Sequence, residues 1–486
     1  MANSFDDWGK KYGLILGLIV GLAIWLLPTP EGMNITQHKL LATFGGLVVL
    51  WITIGVNFAV STFIGIVSLY FWVGNAAGTV KNGVLVHDAN FAVSGFASPA
   101  LWLLITGFVI SIAMTRTGVA KRLSLHMMRL LGQTPVGAIF ALMFANLAIS
   151  PFTPSNTARQ AAMLPIVEGI ADAYKLERGK SNFGKALALA ATYANNITGA
   201  AFLTGTIPNP VSIGMIIAAA GVSMYTTWSY WAVLALPVNI IILIVCGFLV
   251  LRMFPPEVKS IPGGVDYIKK ELAIMGPMSG AEKKAILYFL IALILWATDS
   301  IHHFNSTMIA FLVSLLIFLP KIGVLGWKET EKSIPWELFV YFGGVITLSD
   351  ALMKTKAFEW TIKHALAVMG LDGLSMMAML VIMIGFTIFS HVIWSTTTAM
   401  MGVMVPIYIG MAQAMGFDIV QFVLPLAMLM SYAFFLPFNT MGNIIMFGAN
   451  YYTVSDQVKS SVPLGLAVWG LYVLTAFTWW KIVGFL

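Results

Sequence analysis

Ser150-Pro151-Phe152-Thr153-Pro154-Ser155-Asn156-Thr157 cuts an apolar stretch, 135–174, that is otherwise about twice as long as one helix across a bilayer. Proline has no amide hydrogen and its ring collides with the preceding helical turn, so Pro151 and Pro154 end one helix. Ser155 and Asn156 are residue types that cap the start of another. The pattern predicts a helical hairpin. From Ser155 to Pro165 the usual helical rise gives roughly 15 Å, about half of a hydrocarbon core of roughly 30 Å. The turn is therefore expected near the midplane, with both arms returning to one side.

The same design recurs later in the chain. Ser155-Asn156-Thr157-Ala158, Pro165-Ile166, Gly169 and Ala171 match Thr396-Thr397-Thr398-Ala399, Pro406-Ile407, Gly410 and Ala412, each 241 positions on. A second set follows each hairpin: Thr206, Asn209 and Gly214 match Thr440, Asn443 and Gly448, 234 positions on. The stretch 374–415, broken at 395–398, is thus a second hairpin. Counting the spans between them makes it enter from the opposite face. Inverted repeats with helices broken at the midplane are the architecture of secondary transporters, which hold substrate where the broken ends meet.

Composition fixes the solvent. The chain of 486 residues is 59% hydrophobic and 10% charged, with a mean hydropathy of +0.88, outside the range of soluble domains. Apolar runs such as 12–27, 101–114, 286–296 and 464–480 do not alternate polar and apolar residues as barrel strands do, so the class is all-α and polytopic. The run at 12–27 ends in Pro28-Thr29-Pro30 with no small-residue cleavage site and reads as a retained helix. The single cysteine, Cys246, excludes a disulfide framework and a thiolate metal cluster.

The net charge of +7 reflects topology, and no nucleic-acid partner is expected. With the N-terminus inside, most of the 27 Lys and Arg residues fall in inward loops. The outward side holds Lys39, Lys81, Lys354, Lys356, Lys363 and Lys481, and Arg159 belongs to neither side. That bias predicts an inner-membrane protein with a cytoplasmic N-terminus.

The tips suit an anion. A helix N-terminus leaves free N–H groups and about half a positive charge, to which Ser, Asn and Thr add neutral donors. Two facing tips would hold two carboxylates. The breaks at 205–209, with Gly205, Thr206 and Asn209, and at 437–443, with Asn439, Thr440 and Asn443, place a supporting loop beside each tip.

These residues resemble the divalent anion/sodium symporter family, whose mark is Ser-Asn-Thr at each hairpin tip. The string Pro154-Ser155-Asn156-Thr157-Ala158-Arg159 is similar to the branch of citrate/tartrate and 2-oxoglutarate/malate exchangers. The resemblance implies a homodimer of eleven transmembrane helices plus two hairpins, working as an elevator. It implies that Ser155, Asn156, Thr157 and Thr206 bind one carboxylate and Thr396, Thr397, Thr398 and Thr440 the other. Gly205 matches a carbonyl ligand of the first sodium site in sodium-coupled members. The organisation expected is scaffold and interfacial arm (1–133), transport domain with the inward hairpin (134–252), cytoplasmic linker (253–284), second scaffold and arm (285–373), and transport domain with the outward hairpin (374–486).

The sequence departs from the family pattern at both cation sites. Thr397 lacks the carboxamide that would ligate a second sodium, and Pro151 stands where sodium-coupled members have a hydroxyl. No cofactor or metal is expected, and both sodium sites look degraded. Arg159 and His391 stand close to the tips instead and are read as charge balance for a dianion. An intramembrane arginine marks function by default, and the other reading of Arg159 is a structural pair with Glu168 or Asp172. His391 otherwise reads as bonded to a backbone carbonyl. The function expected is sodium-independent exchange of di- or tricarboxylates, with sodium-coupled symport as the alternative.

A membrane-embedded enzyme would need a nucleophile, paired carboxylates or a His cluster at midplane depth, and the adjacent pair His302-His303 has no third ligand at helical spacing. A channel would need rings of carbonyls or charges. Asp299 and Asp350, at outward span ends, are expected to be solvated. Amphipathic segments 116–132 and 354–373 are expected to lie along the interface as arms.

Overall fold

The structure is a computed structural model that describes residues 2–74, 80–81, 84–85, 87–258 and 264–486. Lys259 and Gly263 of the expected linker lie outside those residues. The described chain is almost entirely helical. Two two-residue strands, Val80–Lys81 and Val84–Leu85, pair antiparallel.

Among the described residues eight helices are long and apolar enough to cross a membrane, and there are shorter apolar helices such as Phe58–Val73, Ser306–Phe318 and Ile419–Ser431. Two units depart from simple spans, and both recur. The first hairpin runs Pro135–Ile149, a 3-10 turn Ser150–Phe152, then Asn156–Ala173; the second runs Met376–Ser390, His391–Ile393, then Thr397–Met415. Every start and stop around the turn is displaced by the same 241 positions. The broken helices repeat in the same way. Asn182–Ala201 stops before a 3-10 turn at Leu203–Gly205 and resumes as Pro208–Ala220; Ile419–Met428 leads to a turn at Pro437–Asn439 and resumes as Met441–Gly448. Even the backbone angles agree: Phe202 and Leu436 have φ of −132° and −130°, and Thr206 and Thr440 have −157° and −146°.

Both arms of the first hairpin reach the same side of the molecule. Its entry arm follows the amphipathic helix Val119–Leu131, and its exit arm meets the linker helix Gly264–Met275, where the Tyr267 hydroxyl donates to Pro165 O at 3.2 Å. The exit arm does not end at Pro165. The helix continues through it to Ala173, because a proline forfeits one internal hydrogen bond without ending a helix that packing holds. At the other hairpin, Gly410 packs against Phe358 and Ile362 of the second amphipathic helix, Ala357–Met369. Trp360 of that helix donates to Glu31 O in the loop after the first span. The two arms therefore stand at different ends of the bundle.

Val119–Leu131 is fastened firmly. Arg122 forms a two-pronged pair with Glu282, Nε to Oε1 at 2.7 Å and Nη2 to Oε2 at 3.2 Å, and donates to Gly276 O at 3.0 Å.

Asp299 corrects the sequence expectation. It is 2% exposed, and its carboxylate accepts from the Trp228 amide at 2.9 Å, the Ser229 amide at 3.3 Å and the Ser229 hydroxyl. A carboxylate at a helix start satisfies N–H groups that have no partner within the helix and opposes the helix dipole, so burial there is stable. The span-end position in sequence did not show that another span delivers its N-terminus to this carboxylate. Asp299→Ala is expected to destabilise the protein by about 1–2 kcal/mol, the usual worth of a cap, read as a lower Tm in detergent.

Candidate substrate site between the two tips

Each tip is a helix N-terminus whose first side chain is already used for capping. Ser155 Oγ accepts from the Ala158 amide at 3.2 Å, and Thr396 Oγ1 from the Ala399 amide at 3.0 Å. These two side chains shape the tips and leave the next residues, Asn156 and Thr157, Thr397 and Thr398, at the helix entrances. Thr157 is exposed and Asn156, Thr397 and Thr398 are half-buried, so all four can be reached by a small molecule.

The supporting loops are tied by matching amides. Asn209 Nδ2 donates to Gly199 O and Phe202 O at 2.8 and 2.9 Å; Asn443 Nδ2 donates to Ala433 O and Leu436 O at 2.7 and 3.2 Å. The acceptors lie ten and seven positions back in both cases. Each carboxamide thus replaces the main-chain donors lost where the helix breaks, which makes irregular backbone stable when buried in the bundle. The two brackets are also cross-linked between halves: Ser431 Oγ donates to Asn209 Oδ1 at 3.3 Å, and Asn196 Nδ2 to Asn443 Oδ1 at 2.9 Å.

The first tip and its loop converge on Arg159, which is fully buried. Nε donates to Asn195 Oδ1 at 3.0 Å, Nη2 to Asn156 Oδ1 at 2.6 Å and Asn195 O at 2.8 Å, and Nη1 to Thr153 O at 2.7 Å and to Gly205 O. All five acceptors are neutral. The alternative pair with Glu168 or Asp172 is not formed: Glu168 bonds Arg178 at 3.0 Å, because the helix turns its acidic residues away from the face that carries Arg159. Gly199 makes room for the cluster. A Cβ there would lie 3.2 Å from Arg159 Nη2 and 3.4 Å from both Asn156 Oδ1 and Thr206 Cβ, so these three residues share one wall.

The second tip is built differently. Trp394 O, the repeat equivalent of Thr153 O, accepts from Asn439 Nδ2 at 2.8 Å, as does His391 O at 2.9 Å. Asn439 itself is the equivalent of Gly205. A neutral carboxamide therefore does in the second half what a guanidinium does in the first. The His391 ring is buried, with Nδ1 3.0 Å from Thr387 O and 3.1 Å from Ile388 O and Nε2 3.5 Å from Met430 O. Its partners are main-chain carbonyls, and Arg159 is the cation that enters a tip.

The residues present do not fit a sodium ion at either implied position. At the first, the carbonyl of Gly205 and the side-chain oxygen of Asn156 are bonded to a guanidinium; at the second, Asn439 donors take the carbonyls and Thr397 supplies no carboxamide.

Sequence reasoning missed Asn195, Asn196 and Ser431. Asn195 is fully buried and also donates from Nδ2 to Asn156 O at 2.9 Å, so it holds both the arginine and the tip. Two consecutive carboxamides in the apolar run 186–201 were the available signal. Gly442 joins the second loop to the first tip, since a Cβ there would lie 2.8 Å from Asn195 Nδ2 and 2.9 Å from Asn156 O.

Comparisons with known proteins agree with this architecture. A family model described as the sodium:sulfate symporter transmembrane region matches residues 9–486. The L-tartrate/succinate antiporter of Escherichia coli is 26% identical, over 99% of this chain and all of that one. Dicarboxylate transporter 1, chloroplastic, of Spinacia oleracea is 26% identical, over 97% of this chain and 81% of that one. The YdaH transporter of Alcanivorax borkumensis shares the fold, with a TM-score of 0.55 at 14% identity, covering 81% of this chain and 87% of that structure. A match that runs from the first span to the last residue, on a chain whose two halves repeat one hairpin and one broken helix, places this multi-pass membrane protein in the sodium:sulfate symporter family of transporters.

Proposed function

We propose that the protein exchanges small di- or tricarboxylates, of the succinate, malate, 2-oxoglutarate, tartrate and citrate class, without sodium. The observation that carries this reading is the Arg159 guanidinium in a cage of five neutral oxygens, Gly205 O among them. Such a cage is the surrounding a small cation would take, and here the cation is covalently part of the hairpin. In this reading Asn156, Thr157 and Thr206 bind one carboxylate and Thr397 and Thr398 the other, with Thr440 nearby capping the helix Met441–Gly448 and Ser155 and Thr396 holding the tips in shape. Neutral donors and helix ends bind an anion without burying a lysine.

The fixed charge accounts for exchange. A sodium-coupled carrier releases its cations before the empty site returns, whereas Arg159 cannot leave. The empty carrier would have to move a buried charge that no anion compensates, which is expensive in a membrane; with an anion bound, the charge is offset. The hairpins and broken helices are assigned to a moving domain, and the first spans and both amphipathic arms to a dimeric scaffold, with the N-terminus cytoplasmic. The names of the antiporter and dicarboxylate relatives support the substrate class.

The test is uptake of labelled succinate into proteoliposomes. Uptake is expected only when the vesicles are preloaded with a dicarboxylate, and at the same rate when choline replaces sodium. Uptake into empty vesicles driven by a sodium gradient would refute the exchange reading.

A further inference from the structure

Three helices near the start of the chain enclose a groove that substrate binding does not use. Ala2–Leu26 packs along Ile35–Thr53, and Phe58–Val67 with its continuation Ser68–Val73 closes the third side. Glycines set the floor: a Cβ on Gly17 would lie 3.0 Å from Gly46 O, and one on Gly21 would lie 3.2 Å from Ala42 O. The backbones meet there, leaving a cavity of about 280 Å3 walled by Leu18, Leu22, Leu47, Leu50 and Ile64.

Polar groups gather toward one end of this groove. Trp25 closes the first helix, Trp72 lies near the end of the third, and their rings meet edge to face at 4.9 Å. Lys39 stands beside them. Its ammonium and both indole N–H groups have no partner among the described residues. From Lys39 to Leu50 the helix descends about 16 Å, the depth of one leaflet in a core of roughly 30 Å.

We propose that this groove binds one acyl chain of an anionic phospholipid, with the phosphate at the Lys39 ammonium and the indole donors. The length matches a single leaflet, the walls below Thr43 and Ser68 match a hydrocarbon chain, and the ammonium and both indole donors lie where a headgroup would be. Tryptophan at headgroup level is the usual membrane anchor. A chain gains nothing from hydrophobicity by moving from lipid into the groove, so selectivity rests on packing against the glycine floor and on the charge of Lys39.

The experiment uses the full-length protein in nanodiscs of phosphatidylcholine containing a minor fraction of phosphatidylglycerol with a photoactivatable group at mid-chain. Labelling is expected on peptides covering 42–50 and 64–68, above that of the exposed apolar face at Leu287 and Ile294. Lys39→Gln is expected to reduce the preference for phosphatidylglycerol over a phosphatidylcholine probe about fivefold, the worth of one lysine near an anionic surface. Thr43→Phe and Ser68→Phe fill the groove from different walls, and either one that elutes as a single folded species should remove the labelling. Equal labelling of the Leu287 face, or an unchanged preference in Lys39→Gln, would overturn the proposal. So would a disulfide-linked dimer formed through Leu18→Cys in a Cys246→Ser background, since a second copy would then occupy the groove.

Discussion

Arg159→Ala is expected to reduce sodium-free exchange by at least about 100-fold. The substitution removes five hydrogen bonds, to oxygens of Thr153, Gly205, Asn156 and Asn195. A hydrogen bond to a charged group is worth roughly 1.5–3 kcal/mol and an unmet buried acceptor costs roughly 1–3 kcal/mol. Two charged hydrogen bonds lost at the tip already reach the roughly 2.8 kcal/mol of a 100-fold effect. Among the described residues the Asn156 side chain is held by this arginine, so its amide would lose its orientation as well. The informative part is the ion dependence. The vacated oxygens form a neutral cage, so exchange by Arg159→Ala is expected to recover in part when sodium is added, while the wild type does not respond. Transport by the variant that equals wild type in choline would show that the guanidinium does not balance the substrate. Arg159→Lys retains the charge but cannot reach all five oxygens, and an intermediate rate is expected.

Glu282→Ala is expected to destabilise the protein by about 3–5 kcal/mol, because it leaves the Arg122 charge buried with only carbonyl partners. The side chains of Arg122 and Glu282 are 10% and 5% exposed, so water cannot replace the lost carboxylate. Glu282 also accepts from the Ser279 amide at 2.7 Å as half of a capping box, which adds a frayed helix start to the loss. Thermal unfolding in detergent should show a large fall in Tm. Replacing both partners by methionine should restore most of it, since a buried ion pair is often no more stable than apolar residues of similar volume. If the single variant unfolded at the wild-type temperature, the pair would not anchor the arm Val119–Leu131.

Much of the site was legible because its signals are local. Prolines and caps at 150–157 act on the next few residues only, and the repeat at 395–398 carries the same instruction with threonines. The hairpins, both broken helices and the placement of Thr206 and Thr440 beside the tips follow from such signals and recur in the backbone angles. Asn209 and Asn443 were identifiable as a pair, but their bracketing of the broken helices required knowing which carbonyls the breaks expose.

The sequence by itself determined that this is a helical membrane protein of two inverted halves, with polar helix starts brought to the middle. Spacing and periodicity depend only on the chain. Tertiary structure decided how the charge is housed. It joined Arg159 to Gly205 across 46 positions and Asn196 to Asn443 across 247, and it buried Asp299 under the start of a different span. Those outcomes depend on which helices become neighbours and which face each presents, and a buried polar group is stable only where a neighbour completes its hydrogen bonds.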